Sequence, residues 1–239
     1  MMEIIPAIDI RAGRCVRLLQ GDYSKETIFA DDPMEIAMKW EDGGAEYLHV
    51  IDLDGAREGS AVNIEVVSKM CANSAARIQV GGGIRDYETA ARYIDAGVSR
   101  VIMGTSAVEH IDQLERILES FGAESLIVSV DARDGIVALD GWTRESNTTV
   151  ETVVKNIESL GVKRCMYTDI LKDGTLTEPN YEGVESVAAS TKMKIIAAGG
   201  IAAISQLKRL SFAGVEATVV GRALYTGDIR LRQAIDELK

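Results

Sequence analysis

Three cysteines, two histidines and no apolar run longer than a strand leave this 239-residue chain without the means for several common architectures. Cys15, Cys71 and Cys165 are odd in number and far apart, which excludes a disulfide framework, and the histidines are too few for a Cys/His metal site. The thiols read as reduced and structural. No stretch is long enough to span a bilayer. The amino terminus enters a strand pattern directly, with no basic segment ahead of an apolar core, so the cytoplasm is the expected location. A net charge of −11 without a basic stripe excludes nucleic acid as a partner. Small phosphorylated ligands stay open, because backbone N–H groups bind anions whatever the net charge.

What the chain does contain is a regular alternation of strand and helix signals. Ile4–Asp9, Tyr47–Asp52, Arg77–Val80, Arg100–Met103, Leu126–Asp131, Arg164–Asp169, Lys194–Ala197 and Glu216–Val220 read as strands. Helices are expected from Asp32-Pro33 to Gly43-Gly44, after an Asn63 cap, from Asp86 to Gly97, from Gly104-Thr105 to near Gly122, from Thr149 to Gly161, over Tyr181–Ser190, and from Gly221 to the end. Long loops follow the first strand, with a polar tip at Gln20–Glu26, and the fifth, to about Thr149. Eight β–α units of ordinary connection length predict a (β/α)8 TIM barrel. A doubly wound open sheet would ask for fewer strands and a Gly-rich turn after the first, where this chain has an aspartate and a long loop.

The alternation repeats. Asp52 and Asp169, Ile84 and Ile201, and Gly104 and Gly221 are each separated by 117 residues. Asp9 and Asp131 are 122 apart, which assigns about five extra residues to the first loop of the second half. The chain reads as one domain of two half-barrels, about 1–122 and 123–239, neither able to close its sheet alone.

In such a barrel the C-terminal strand ends meet on one face, where active sites lie. Ile4–Val16 (IIPAIDIRAGRCV) and Leu126–Ala138 (LIVSVDARDGIVA) each run as an apolar strand ending in aspartate, so Asp9 and Asp131 stand opposite each other. A carboxylate pair across a ligand suits general acid–base work; loop capping is the plainer use of the same residues. Gly82-Gly83 and Gly104-Thr105 in one half, and Gly199-Gly200 and Gly221-Arg222 in the other, form two glycine turns at helix starts, suited to a phosphate at each end of one ligand. Asp52 and Asp169 are expected to be structural, and His49, of opposite parity to Asp52, to face the helices. His110 is expected to start an amphipathic helix. Trp142 could stack on a planar ligand or simply pack its own loop. Arg17 could reach a phosphate or a carboxylate.

Read end to end, PAID, VRLLQGDY, GAEYLHVIDLDGA, QVGGGIR, the GT and GW pairs, TDILKDGT, AAGGI and VVGRALY resemble the HisA-type isomerases of histidine biosynthesis over essentially the whole chain. The resemblance implies an Amadori rearrangement of a phosphoribosylformimino-aminoimidazole carboxamide ribotide, an aminoaldose becoming an aminoketose. By residue matching, Asp131 is the acid that opens the ring and Asp9 the base at C2′. Thr168 and Asp173 hold the sugar, Trp142 stacks on the imidazole, and Arg85, Thr105 and Arg222 join the glycines at the phosphates. No cofactor, metal, membrane or nucleic-acid partner is implied; a small bisphosphorylated substrate and a monomer are expected. Three readings stay open beside it: the sister cyclase barrel, a bifunctional relative that also isomerises phosphoribosyl anthranilate, and a non-catalytic bisphosphate sensor.

Overall fold

In the computed structural model, which describes residues 2–239, eight parallel strands close on themselves. Numbered in chain order, the barrel strands are β1 (Glu3–Arg11), β2 (Tyr47–Asp52), β3 (Arg77–Gly81), β4 (Arg100–Met103), β5 (Leu126–Arg133), β6 (Arg164–Asp169), β7 (Lys194–Ala198) and β8 (Ala217–Val220). Each pairs in parallel with the next, and β8 pairs with β1. The expected (β/α)8 barrel is the fold.

Strand alternation divides the apolar residues into two layers. Ile5, Ala7, Tyr47, Ile102, Ile127, Met166, Ile196, Ala217 and Val219 fill the barrel interior. The opposite parity, such as Ile4, Ile8, Leu48 and Val50, packs against the helices in the larger core. At the N-terminal end Tyr47 lies between the guanidinium groups of Arg77 and Arg100, 4.1 and 4.0 Å from its ring centre. Arg164 closes the same end with a two-pronged bond to Glu216 (2.8 and 3.1 Å).

The repeat extends to element boundaries. Strands β2, β3 and β4 map onto β6, β7 and β8 at an offset of 117 residues, end for end. At the same offset the helices Pro33–Asp42, Ile64–Asn73, Tyr87–Asp95 and Thr105–Glu109 map onto Val150–Ser159, Tyr181–Ser190, Ile204–Phe212 and Arg222–Thr226. The five-residue difference lies in the first half, contrary to the expectation. From Asp9 to the helix start at Pro33 is longer than from Asp131 to Val150. Both supposed loops are ordered hairpins: Arg14–Leu19 with Asp22–Ala30, and Ile136–Leu139 with Arg144–Thr149. Two expected single helices are broken, at His110 and after the left-handed Gly227.

Parity reverses one further expectation. His49 shares its face with Tyr47 and Ile51 and points into the barrel, while Asp52 points outward. Asp52 is fully buried and accepts from Gly55 N, Val62 N, Asn63 N, Asn63 Nδ2 and Tyr93 Oη, all at 2.7–2.9 Å. Asn63 is therefore the partner of this carboxylate, and its side chain makes no helix cap. A short helix, Leu53–Glu58, capped by Asp52, stands between them. Asp169 repeats the device with Asn180 Nδ2 at 2.7 Å and Lys172 N at 3.2 Å. Both aspartates are structural, pinning each strand end to the chain eleven residues on.

Removing a buried acceptor strands its donors, so the two pins should differ in weight. Asp52→Ala, which orphans five donors, is expected to lower unfolding free energy by about 4 kcal/mol, and Asp169→Ala by about half that. Urea titration of both variants measures the difference; equal losses would contradict it.

Candidate active site

The C-terminal strand ends surround a cavity of about 270 Å³. All fifteen residues singled out in the sequence line it: Asp9, Arg17, Gly82, Gly83, Arg85, Gly104, Thr105, Asp131, Trp142, Thr168, Asp173, Gly199, Gly200, Gly221 and Arg222. In the closed strand order β1 and β5 are diametrically opposed, so Asp9 and Asp131 face each other across the mouth.

The two carboxylates are held differently. Asp9 is 7 % exposed and pairs with Arg17 at 2.9 Å, while Arg17 lies 4.0 Å from Asp173. Burial pushes the Asp9 pKa up to about 6; the Arg17 charge opposes this and the Asp173 charge adds to it. Asp173 is raised by burial as well, Arg17 again opposing and Asp131 adding, which places this third carboxylate electrically between the other two. Burial works against the charge of Arg17, but Asp9 and Asp173 outweigh it and raise its pKa. Its guanidinium sits where a side chain on Gly221 would be, 2.6 Å from the position of an added Cβ. Its Nε is buried with no partner. Asp131 instead accepts from neutral groups, Ser129 Oγ at 2.7 Å and Trp142 Nε1 at 2.9 Å.

Beneath them, His49 receives a hydrogen bond from Gln79 Nε2 at 3.0 Å on Nδ1. Burial, helped by Arg17, pushes its pKa down to about 3, so the imidazole is neutral and Arg17 is the cation nearest Asp9.

The glycine turns are required by backbone contact. Gly82, Gly83, Gly199 and Gly200 all have φ between 79° and 99°. A Cβ would stand 2.2 Å from Asp52 O at Gly82, 2.2 Å from Gly55 O at Gly83 and 2.4 Å from Glu178 O at Gly200. Gly104 and Gly221 share an unusual conformation, φ −101°, ψ −110° and φ −102°, ψ −104°. It falls outside the main regions open to L-residues. The side chains around the turns differ. Arg85 lies over Gly59 on one side, and Arg222 donates to Gly174 O at 2.8 Å on the other. Thr105 is engaged from within the protein, its Oγ1 accepting from Asp140 N at 2.8 Å.

The hairpins cover the mouth from opposite sides. Gln20 Nε2 donates to Leu171 O at 2.9 Å and Tyr23 Oη to Leu53 O at 3.0 Å. The Trp142 ring lies on Gly21 at the tip of the first hairpin, and an added Cβ there would be 2.7 Å from Cε3. Trp142 thus packs on another loop, not its own, with its indole N–H turned to Asp131. Ser129 and Gln79 were missed in the sequence, and His49 was assigned to the wrong face. Ser129 had a usable signal, lying two residues before Asp131 on the same strand face. His49 had one too, once Asp52 is recognised as outward-facing.

The chain is a (β/α)8-barrel protein whose mouth holds opposed carboxylates between two matched glycine turns. The profile of the histidine biosynthesis protein family matches residues 3–230, and the chain belongs to that family. It is 46% identical to a relative from Dehalococcoides mccartyi (strain 195) over 99% of this chain and 100% of the relative. It is 47% identical to one from Oceanobacillus iheyensis over 98% of each, and 43% identical to one from Thermoanaerobacter pseudethanolicus over 100% of each. All three are named 1-(5-phosphoribosyl)-5-((5-phosphoribosylamino)methylideneamino) imidazole-4-carboxamide isomerase.

The Asp9–Arg17 pair makes a titration prediction. In a carbon-13 NMR titration the Asp9 carboxyl is expected to turn over near pH 6, and Arg17→Gln to move that midpoint upward by removing the opposing charge. The folded protein binds this proton between about pH 4 and 6 where the unfolded chain does not, so the group weakens folding progressively as pH rises through that window. A midpoint unchanged or lowered in Arg17→Gln would show that the pair does not set it.

Proposed function

We propose that this chain catalyses the aldose–ketose rearrangement named for its relatives, converting the aminoaldose end of a bisphosphorylated imidazole carboxamide ribotide to an aminoketose in histidine biosynthesis. The observation that carries the reading is the unequal support of Asp9 and Asp131 between two glycine turns, in a chain more than 40% identical to isomerases of that name over its whole length.

The chemistry needs a proton delivered to the ring oxygen, so that the furanose opens to a Schiff base at C1′. A proton is then removed from C2′ and the resulting enol relaxes to the ketone. A base is most useful when its pKa lies near the working pH, and Asp9 at about 6 is ionised at neutral pH yet basic for a carboxylate. Arg17 steadies the charge it carries between turnovers. Asp131 is the acid: Ser129 and Trp142 fix the plane of its carboxyl group toward the cavity. Asp173 and Thr168 hold the sugar between them. Backbone N–H groups at Gly82-Gly83 with Gly104, and at Gly199-Gly200 with Gly221, take the two phosphates, with Arg85, Thr105 and Arg222 beside them. Trp142 contributes its ring face to the imidazole when the ligand enters. We assign the reaction to the cytoplasm, for which three free thiols are suited, and to the single chain.

Turnover assays with the imidazole ribotide and with phosphoribosyl anthranilate are the direct test. The first substrate alone is expected to react; both reacting would indicate the two-substrate enzyme, and neither would remove the reading. Asp9→Asn and Asp131→Asn are each expected to lower kcat at least a hundredfold with ligand binding retained, on the scale of general acid–base catalysis. Near-normal rates in either variant would end its assignment. For the wild type, kcat/KM should fall tenfold per pH unit below about pH 6 as Asp9 takes up its proton. Crystals grown in phosphate should show one ion in each glycine turn; a turn left without one would lose its role.

A further inference from the structure

The hairpin that carries Trp142 contains a turn unlike the other three in the two hairpins. Ala12-Gly13, Gln20-Gly21 and Asp134-Gly135 are two-residue connections with positive φ at both positions and glycine second, the pattern of type I′ turns. The fourth joins the paired residues Leu139 and Arg144 through four residues, of which the first three are left-handed in succession: Asp140 (φ 53°), Gly141 (62°) and Trp142 (73°), followed by Thr143. Outside the pairs of a type I′ turn left-handed residues ordinarily occur singly, and a bulky aromatic is disfavoured among them. Such a run persists only where its surroundings hold it.

The hold comes from the short helix Thr105–Glu109, which follows the neighbouring strand β4. Thr105, its first residue, accepts from Asp140 N at 2.8 Å. Glu109, its last, accepts from an Arg144 terminal nitrogen at 2.5 Å, and Arg144 Nε donates to Asp140 Oδ2 at 2.7 Å. Arg144 therefore ties the turn's first residue to the helix end, while Thr105 ties the same residue's backbone to the helix start. The result is the placement already described, with Trp142 Nε1 on Asp131 and its ring on Gly21.

We propose that Arg144 is a positioning residue for the reaction: by bridging Asp140 to Glu109 it sets Trp142 against Asp131 before any ligand arrives. The proposal rests on the reading of Asp131 as the acid. Without the bridge Thr105 is the turn's one remaining tie to the helix, the bonds from Thr143 to Asp140 O lying within the turn itself; the left-handed run relaxes, and the indole leaves both Asp131 and Gly21. Ordering the turn then falls on the binding step, so the loss appears mainly in KM.

The test uses full-length protein labelled with 5-fluorotryptophan. The chain has two tryptophans, and Trp40, buried in the core, reports the fold while Trp142 reports the turn. Trp142→Phe assigns the signals. In Arg144→Met the ligand-free Trp142 resonance is expected to move toward a solvent-exposed shift, with Trp40 unchanged. KM for the imidazole ribotide should rise about three- to tenfold and kcat stay within about twofold. Arg144→Lys keeps the charge without the two-pronged geometry and should fall between. Because the three charged side chains are half-exposed, 1 M NaCl should move the wild-type resonance the same way. A Trp142 resonance in Arg144→Met identical to wild type overturns the proposal, as does a displaced resonance with unchanged KM. Absence of turnover in the wild type would remove the isomerase reading, and the fluorine signal would still decide whether Arg144 holds the turn.

Discussion

A single guanidinium organises the mouth of this barrel. Arg17 arrives from the first hairpin, lies between Asp9 and Asp173, and occupies the space that Gly221 leaves open just after β8. Three carboxylates crowd one cavity, and burial alone would drive protons onto Asp9 and Asp173. With one cation among them, Asp9 comes to rest near the middle of the useful range, not at either extreme. The same side chain binds a hairpin, two strand ends and the loop after β6 into one unit, so electrostatics and architecture depend on one residue. His49, which could have been a second cation, is kept neutral directly below.

Around that centre the molecule is nearly two-fold, and its asymmetries are local. Four helices and three strands of each half share their boundaries at a fixed offset, and Asp52–Asn63 reappears as Asp169–Asn180. The differences gather at the mouth, around the two carboxylates to which the proposed reaction gives different tasks. Asp9 has a charged partner and Asp131 two neutral ones; the first hairpin is longer, and the second carries the aromatic. A symmetric scaffold places two carboxylates opposite each other; only unequal neighbours can give them unequal tasks.

Much of this was legible in the chain because it follows from periodicity and glycine. Strand ends such as Tyr47–Asp52 and Arg164–Asp169 were read to the residue, since apolar runs with an abrupt polar stop fix both boundaries. The aspartate pair and the glycine turns were legible because barrel topology sends every strand end to one face, whereas Arg85, Thr168 and Asp173 were legible only through the family resemblance. What failed was anything decided by which way a side chain turns across a closed sheet. Asp52 and His49 exchanged faces, because a strand buried on both sides shows no polar alternation to mark inside from outside. The hairpins were taken for loops because polar sequences such as Arg144–Thr149 carry little strand signal until a neighbour pairs with them. The Trp142–Gly21 contact joins residues far apart in sequence, and no local pattern announces it.

Gly104 and Gly221 hold the same backbone angles to within a few degrees, yet the residues beside them, Thr105 and Arg222, have nothing in common, nor do Arg85 and its counterpart Ala202. What the two turns share is written in main chain, and what separates them is written in side chains. Main-chain groups are untouched by substitution at neighbouring positions. Under the proposed function, each end of the cavity can therefore drift in specificity without disturbing the other, the duplicated scaffold offering two independently adjustable grips on one ligand.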